Sequence, residues 1–260
     1  MLHQTIEKLH ALKLSAMADG VLAQAKQPEI DALSFEERLA LLVDLQHTAD
    51  QNAALGQRLK ASNLRQSACL EDLDLRTPRG LDRTLIHTLA SCQWASCQWI
   101  RTARSVLVTG PTGAGKTFIA CALGHQAARE GFSVLYRRLA RLLDDLAIAR
   151  VEGRHRRVFA RLARTKLLIL DDWAMIRLTA EQRRDLMDVI DDRHDRAATL
   201  LASQVPVDGW FEQIGDATYA DAILDRIVHK AYRIELRGES MRKRTTPTTE
   251  EGRSIATTAT

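Results

Sequence analysis

The chain has 260 residues, 45% hydrophobic and 27% charged, a composition that excludes wholesale disorder and fibrous repeats. No apolar run nears the ~18 residues that span a bilayer, the N-terminus lacks a secretory signal pattern, and four cysteines without a C-x-x-C pair fit a reducing compartment, so a cytoplasmic location is expected. The net charge is only +4, yet a pI near 9.0 points to an anionic partner, while 5% aromatics argue against single-strand binding by base stacking.

In chain order, Leu2 to Ala25 reads as a helix, with Leu9, Leu12, Met17, Val21 and Leu22 spaced about three and four apart, and Pro28 ends it. Ser34-Phe35-Glu36-Glu37 is a capping-box pattern that opens a second helix. Leu39, Leu42, Val43, Leu45, Leu55 and Leu59 supply its inner face. Pro78 and Gly80 interrupt the helical pattern and mark a boundary. A third helix is predicted from about Leu81 to Ile100. It carries the tandem Ala-Ser-Cys-Gln-Trp of 90–94 and 95–99, read as a small duplication that lengthens it.

Short apolar strands follow at 105–109, 133–136, 167–170, 199–202 and 232–236, with helix-like stretches between them. This alternation predicts an α/β domain with a parallel sheet covered on both faces. The Thr-rich end has few large apolar residues and is expected to be disordered. The predicted division is a helical region at 1–75, an α/β domain at 76–243 and a tail at 244–260.

Gly110-Pro111-Thr112-Gly113-Ala114-Gly115-Lys116-Thr117 matches G-x-x-x-x-G-K-[ST], with a strand before it and a helix after it. Glycines there let backbone N–H groups converge on phosphate oxygens, and the helix N-terminus adds partial positive charge. Lys116 is predicted to reach the β/γ phosphates and the Thr117 hydroxyl to bind Mg²⁺. ATP and Mg²⁺ are the expected cofactors. The strand Leu167–Leu170 runs into Asp171-Asp172. Asp171 is expected to orient the Mg²⁺ shell, and Asp172 to polarise the attacking water. Asp is shorter than the Glu that many related ATPases place second, so modest turnover is expected. Gln204, after the fourth strand, would hold that water or contact the γ-phosphate; capping the next helix is the competing role.

The linked set Ala68–Asp74, Pro78–Arg83, Gly110–Thr117, Leu168–Trp173, Ser203–Pro206, Ile223–Arg226 and Gly238–Lys243 resembles the IstB family. These are AAA+ ATPases that act as transposition helpers, similar to DnaC-type helicase loaders. The resemblance implies a P-loop NTPase core of the AAA+ class with a five-stranded parallel sheet in the order 5-1-4-3-2, preceded by a small helical N-terminal domain. It also implies ATP-dependent oligomerisation on duplex DNA and activation of a partner transposase. Carried onto matching positions, Arg226 would be an arginine finger reaching a neighbour's γ-phosphate, and Arg242 a second sensor within its own subunit. A surface salt bridge is the competing reading for each. Ala174 stands where the family commonly has Gly, which matters if that position needs φ > 0.

Between Arg129 and Lys166 lie 11 Lys and Arg against 4 acidic residues, so the positive charge is concentrated there. Arg154, Arg156 and Arg157 are the candidate contacts to a phosphate backbone, with little sequence selectivity. A solvated helix face is the plainer alternative. Three functions compete: a DNA-bound ATPase activating a transposase, a replicative helicase loader, and a nucleotide-switched scaffold without DNA.

Overall fold

The helix predicted over 2–25 is two helices, α1 (Leu2–Ala11) and α2 (Ser15–Gln24). Lys13 takes a φ of 64°, and the N–H groups of Leu14 and Lys13 donate to the Leu9 and His10 carbonyls at 2.9 Å. That is a left-handed helix terminus, here made by lysine instead of glycine, so no Gly or Pro announces it. In this computed structural model residues 2–90, 97–238 and 240–241 are described. The predicted tail, Arg242 and most of the Cys-Gln-Trp tandem lie outside them.

The chain divides into two units, Met1–Ala61 and Ser62 onward. In the first, a 3₁₀ turn (Pro28–Ala32) leads into α3 (Phe35–Ser62). Its predicted capping box is present: Glu37 N–H donates to Ser34 Oγ at 3.3 Å, and Ser34 N–H to Glu37 Oε2 at 2.8 Å. The expected inner face of α3 is only partly realised. Leu42, Leu55 and Leu59 are half-buried, but Leu39, Val43 and Leu45 are exposed. α1 and α2 have 10 residues each against 28 in α3, and such short helices cannot cover its length. Gly20 seats α2 on α3: a Cβ there would stand 2.8 Å from Leu42 Cδ2.

The second unit contains α4 (Arg83–Ala90) and the short α5 (Gln98–Arg101); Cys97, with a φ of 55°, interrupts the helix predicted over 81–100, of which 91–96 lie outside the described residues. Asp82 Oδ1 accepts the Thr84 N–H at 2.7 Å, which sets the start of α4 after Asp82. Then follow β1 (Val106–Thr109), α6 (Lys116–Arg129), β2 (Val134–Arg138), α7 (Leu139–Val151), α8 (His155–Arg164), β3 (Leu167–Trp173), α9 (Ala180–Arg193), β4 (Ala198–Ser203), α10 (Trp210–Ile214), α11 (Ala217–Val228) and β5 (Tyr232–Glu235).

The five strands form one parallel sheet in the order β2-β3-β4-β1-β5. This is the AAA+ order that the resemblance implies. β1 and β4 are buried at every position and β3 at all but Asp172, as central strands covered on both faces must be. β3 runs three residues past its predicted end, carrying Asp171 and Asp172 within the strand. One face is filled by α7, α9 and α11, with Leu142, Leu146, Leu186 and Ile223 around the Trp173–Trp210 pair. The C-terminal ends of β1, β3 and β4 lie side by side, where open parallel sheets place their ligands.

Candidate nucleotide-binding site

The loop Gly110–Thr117 leaves β1 and enters α6. Gly113 and Gly115 adopt φ values of 82° and 95°, which side chains rarely tolerate. A Cβ at Gly115 would meet Arg79 Nη1 at 2.6 Å, and one at Gly113 would collide with Ser240. Two segments brace the loop. Arg79 donates to the Ala114 carbonyl at 2.9 Å, and Met241 N–H to the Gly113 carbonyl at 2.9 Å. Burial pushes the Arg79 pKa below its ordinary value, against the pull of Asp74. The Thr77 hydroxyl, with the Arg76 and Thr77 N–H groups, holds the Asp74 carboxyl at about 2.

Lys116 is buried, and its Nζ donates to the Gly110 and Pro111 carbonyls at 2.8 Å each, so the ammonium lies across the loop mouth. Thr117 Oγ1 donates to Asp171 Oδ2 at 2.8 Å. Tyr136, on β2, donates its hydroxyl to the same oxygen at 2.6 Å. Burial, reinforced by that hydrogen bond, raises the Tyr136 pKa well above its ordinary value, so the hydroxyl keeps its proton and remains a donor. Arg65 Nη1 stands 4.0 Å from Asp171 Oδ2. Asp172 N–H donates to Asp171 Oδ1 at 2.9 Å, while the Asp172 carboxylate pairs with Arg138 at 3.3 Å. Gln204 Oε1 accepts the Thr112 hydroxyl, so its side chain meets the loop.

These groups converge on a cavity of about 590 Å³, lined among others by Arg65, Asp74, Arg79, Lys116, Asp171 and Gln204, within the size range of small-molecule sites. Sequence reasoning missed Tyr136 and Arg65. Only the pairing of β2 with β3, which sets Arg138 opposite Asp171, could have drawn attention to that end of β2. Arg226 is not among the residues lining the cavity. It pairs with Asp191 at 2.9 Å, donates to the Ala222 carbonyl, and lines a separate cavity with Arg104 and Lys230. Arg242 lies outside the described residues, directly after Met241. On α8 and its approach, Arg154 pairs with Glu152, whereas Arg156 and Arg157 are exposed.

Thr117 and Asp171 present hard oxygen donors side by side, a set that suits Mg²⁺. The Thr117 proton is spent on Asp171, so the hydroxyl oxygen keeps lone pairs for a cation.

Comparison with known proteins gives a consistent result. The family model described as IstB-like ATP binding protein matches residues 7–249. A Sinorhizobium fredii protein named for ATP binding in an insertion sequence is 42% identical over 241 residues, covering 93% of this chain and 96% of its own. A Pseudomonas fluorescens protein named for ATP binding in insertion sequence IS1162 is 46% identical, covering 79% and 87%. Among solved structures, DnaI superposes with a TM-score of 0.56 at 18% identity over 65% of this chain and 90% of its own. AMPPCP-bound DnaA of Aquifex aeolicus gives 0.54 at 17% identity, over 69% and 53%. Both structural likenesses concern the fold. With its phosphate loop, the family model matching residues 7–249 and relatives matched over nearly their whole length, this chain belongs to the family of IstB-like ATP-binding proteins.

Proposed function

We propose that the protein is an ATP-hydrolysing helper of an insertion sequence, which assembles on duplex DNA and recruits and activates a partner transposase. One observation carries the reading: a buried lysine, a threonine hydroxyl and a buried carboxylate meet at the loop mouth, in a chain whose full-length relatives are named for insertion sequences.

Lys116 exchanges its two carbonyl partners for β/γ-phosphate oxygens. Thr117 and Asp171 would hold Mg²⁺, which would neutralise charge on the phosphates. Asp172 polarises the attacking water after releasing Arg138. Gln204 turns from Thr112 to that water or to the terminal phosphate. Arg242 contacts phosphate in its own subunit, and Arg226 reaches a neighbour's. Arg154, Arg156 and Arg157 meet the DNA backbone. In this reading residues 1–75 form the partner-binding region, 76–243 the ATPase and 244–260 a tail, and the protein works in the cytoplasm.

Retention on duplex DNA tests the proposal. The wild type should be retained with ATP and released with ADP. Lys116→Ala should bind neither nucleotide nor DNA stably. Asp172→Asn should bind ATP, hydrolyse it at least tenfold more slowly and persist on DNA. Retention that ignores nucleotide would overturn the ATP-dependent part. Capture of a replicative helicase instead of an integrase-like transposase in a pairwise pull-down would move the function to helicase loading.

A further inference from the structure

Residues 64–71 form neither helix nor strand, yet they are tied to α6 turn by turn. A Cβ on Gly124 would stand 2.9 Å from Leu64 Cδ2. The N–H groups of Arg65 and Gln66 point at the Cys121 thiol. Cys69 Sγ lies 3.9 Å from His125 Nδ1, and Glu71 pairs with Arg129 at 2.6 Å. Positions 121, 124, 125 and 129 (spaced three and four apart) lie along one side of the helix. The backbone of this segment is therefore fixed, and it delivers the Arg65 side chain into the nucleotide cavity.

There the guanidinium faces Asp171 Oδ2, the oxygen that also accepts the Thr117 and Tyr136 hydroxyls. Asp171 is buried to 1% exposure, and a buried carboxylate needs a counter-charge. The two hydroxyls are neutral donors. Arg65 brings a full positive charge to within 4.0 Å of that carboxylate and also hydrogen-bonds the Tyr136 hydroxyl. Its own side chain remains 41% exposed, so it can leave toward solvent without unfolding the segment. A guanidinium and a divalent cation repel each other, and both seek the same carboxylate. The divalent ion brings twice the charge to it.

We propose that Arg65 is an internal counter-cation of the metal site, one that neutralises Asp171 and is exchanged for Mg²⁺ when Mg²⁺–nucleotide enters. The proposal rests on the nucleotide reading of the cavity and adds a competitor to it.

The experiment titrates Mg²⁺ against a fixed concentration of the full-length protein and a fluorescent ATP analogue. Arg65→Gln removes the competitor and should lower the Mg²⁺ midpoint by about fivefold, the scale of a partly exposed ion pair. Arg65→Lys keeps the charge and should stay near wild type. Thermal unfolding checks that both variants fold. On the wild type, phenylglyoxal modification of Arg65, followed by mass spectrometry, should speed up when Mg²⁺ is added to the nucleotide-bound protein. An unchanged midpoint together with unchanged labelling overturns the proposal. A raised midpoint with weaker binding in EDTA also overturns it, and makes Arg65 a phosphate ligand instead. A wild type that binds no nucleotide at any Mg²⁺ concentration defeats the nucleotide reading itself, a result distinct from either.

Discussion

Asp172 and Ala174 adopt φ values of 56° and 58° on either side of Trp173, where the β3–β4 pairing shifts register. The kink lets Asp172 N–H reach Asp171 Oδ1 and the Trp173 carbonyl accept the Ser203 hydroxyl at 2.7 Å. Asp tolerates this conformation, but an L-alanine strains by roughly 1–2 kcal/mol. Ala174→Gly should therefore stabilise the protein by about 1 kcal/mol, raising Tm by roughly 2–4 °C. Scanning calorimetry checks this; an unchanged or lower Tm would mean that glycine's extra unfolded-state freedom cancels the relief. The sequence made the phosphate loop and the two carboxylates legible because that chemistry confines residue types within a few consecutive positions. It hid Arg65 and Tyr136, since a lone Arg in a loop and a Tyr in a strand fit many environments. Only tertiary pairing brings them to Asp171.

At the scale of elements, α8 is the piece whose charge has least to do with folding. Leu162 is its buried residue, with Val158 and Phe159 packed half-buried against the core. Arg156 and Arg157 are exposed, and Arg154 is spoken for by Glu152. Replacing all three by Ala should leave nucleotide affinity unchanged and weaken duplex binding. The slope of log K against log salt should fall by ~1.8 if Arg154 stays with Glu152, and by up to ~2.7 if it joins the DNA. Binding measured across a salt series decides between them, and an unchanged slope returns α8 to a solvated face. Strands were readable to within a few residues because a buried parallel strand is a short apolar run. The α1–α2 break was not, because Lys13 occupies a position usually marked by glycine. Nor was the exposed side of α3, since an apolar pattern records which residues could be covered and not how much neighbouring helix is available to cover them.

For the whole molecule, Arg226 raises a question about copies. Within one chain it holds Asp191 and lies apart from the residues that line the nucleotide cavity. A role in hydrolysis therefore requires a neighbour's ATP, where fingers of this kind contribute ~10³–10⁵ in rate. Arg226→Ala should bind ATP normally and hydrolyse it poorly. Mixed with Lys116→Ala, which keeps its finger but lacks a working loop, it should regain part of the activity. Mixed oligomers that form yet stay inactive would leave Arg226 as the partner of Asp191 alone. The sheet order carries a consequence for how the protein is made. β1 lies between β4 and β5, and the loop that follows it is braced by Met241. On the ribosome, the Gly110–Thr117 stretch emerges long before any of these partners. At ~5–20 residues per second it waits roughly ten seconds for β5. A nascent chain halted before Tyr232 thus carries the complete loop sequence without the strand and brace that shape it. Such a fragment has the Arg79 brace but lacks the Met241 N–H that holds the Gly113 carbonyl, so the loop takes its doubly braced shape only in chains translated past Met241.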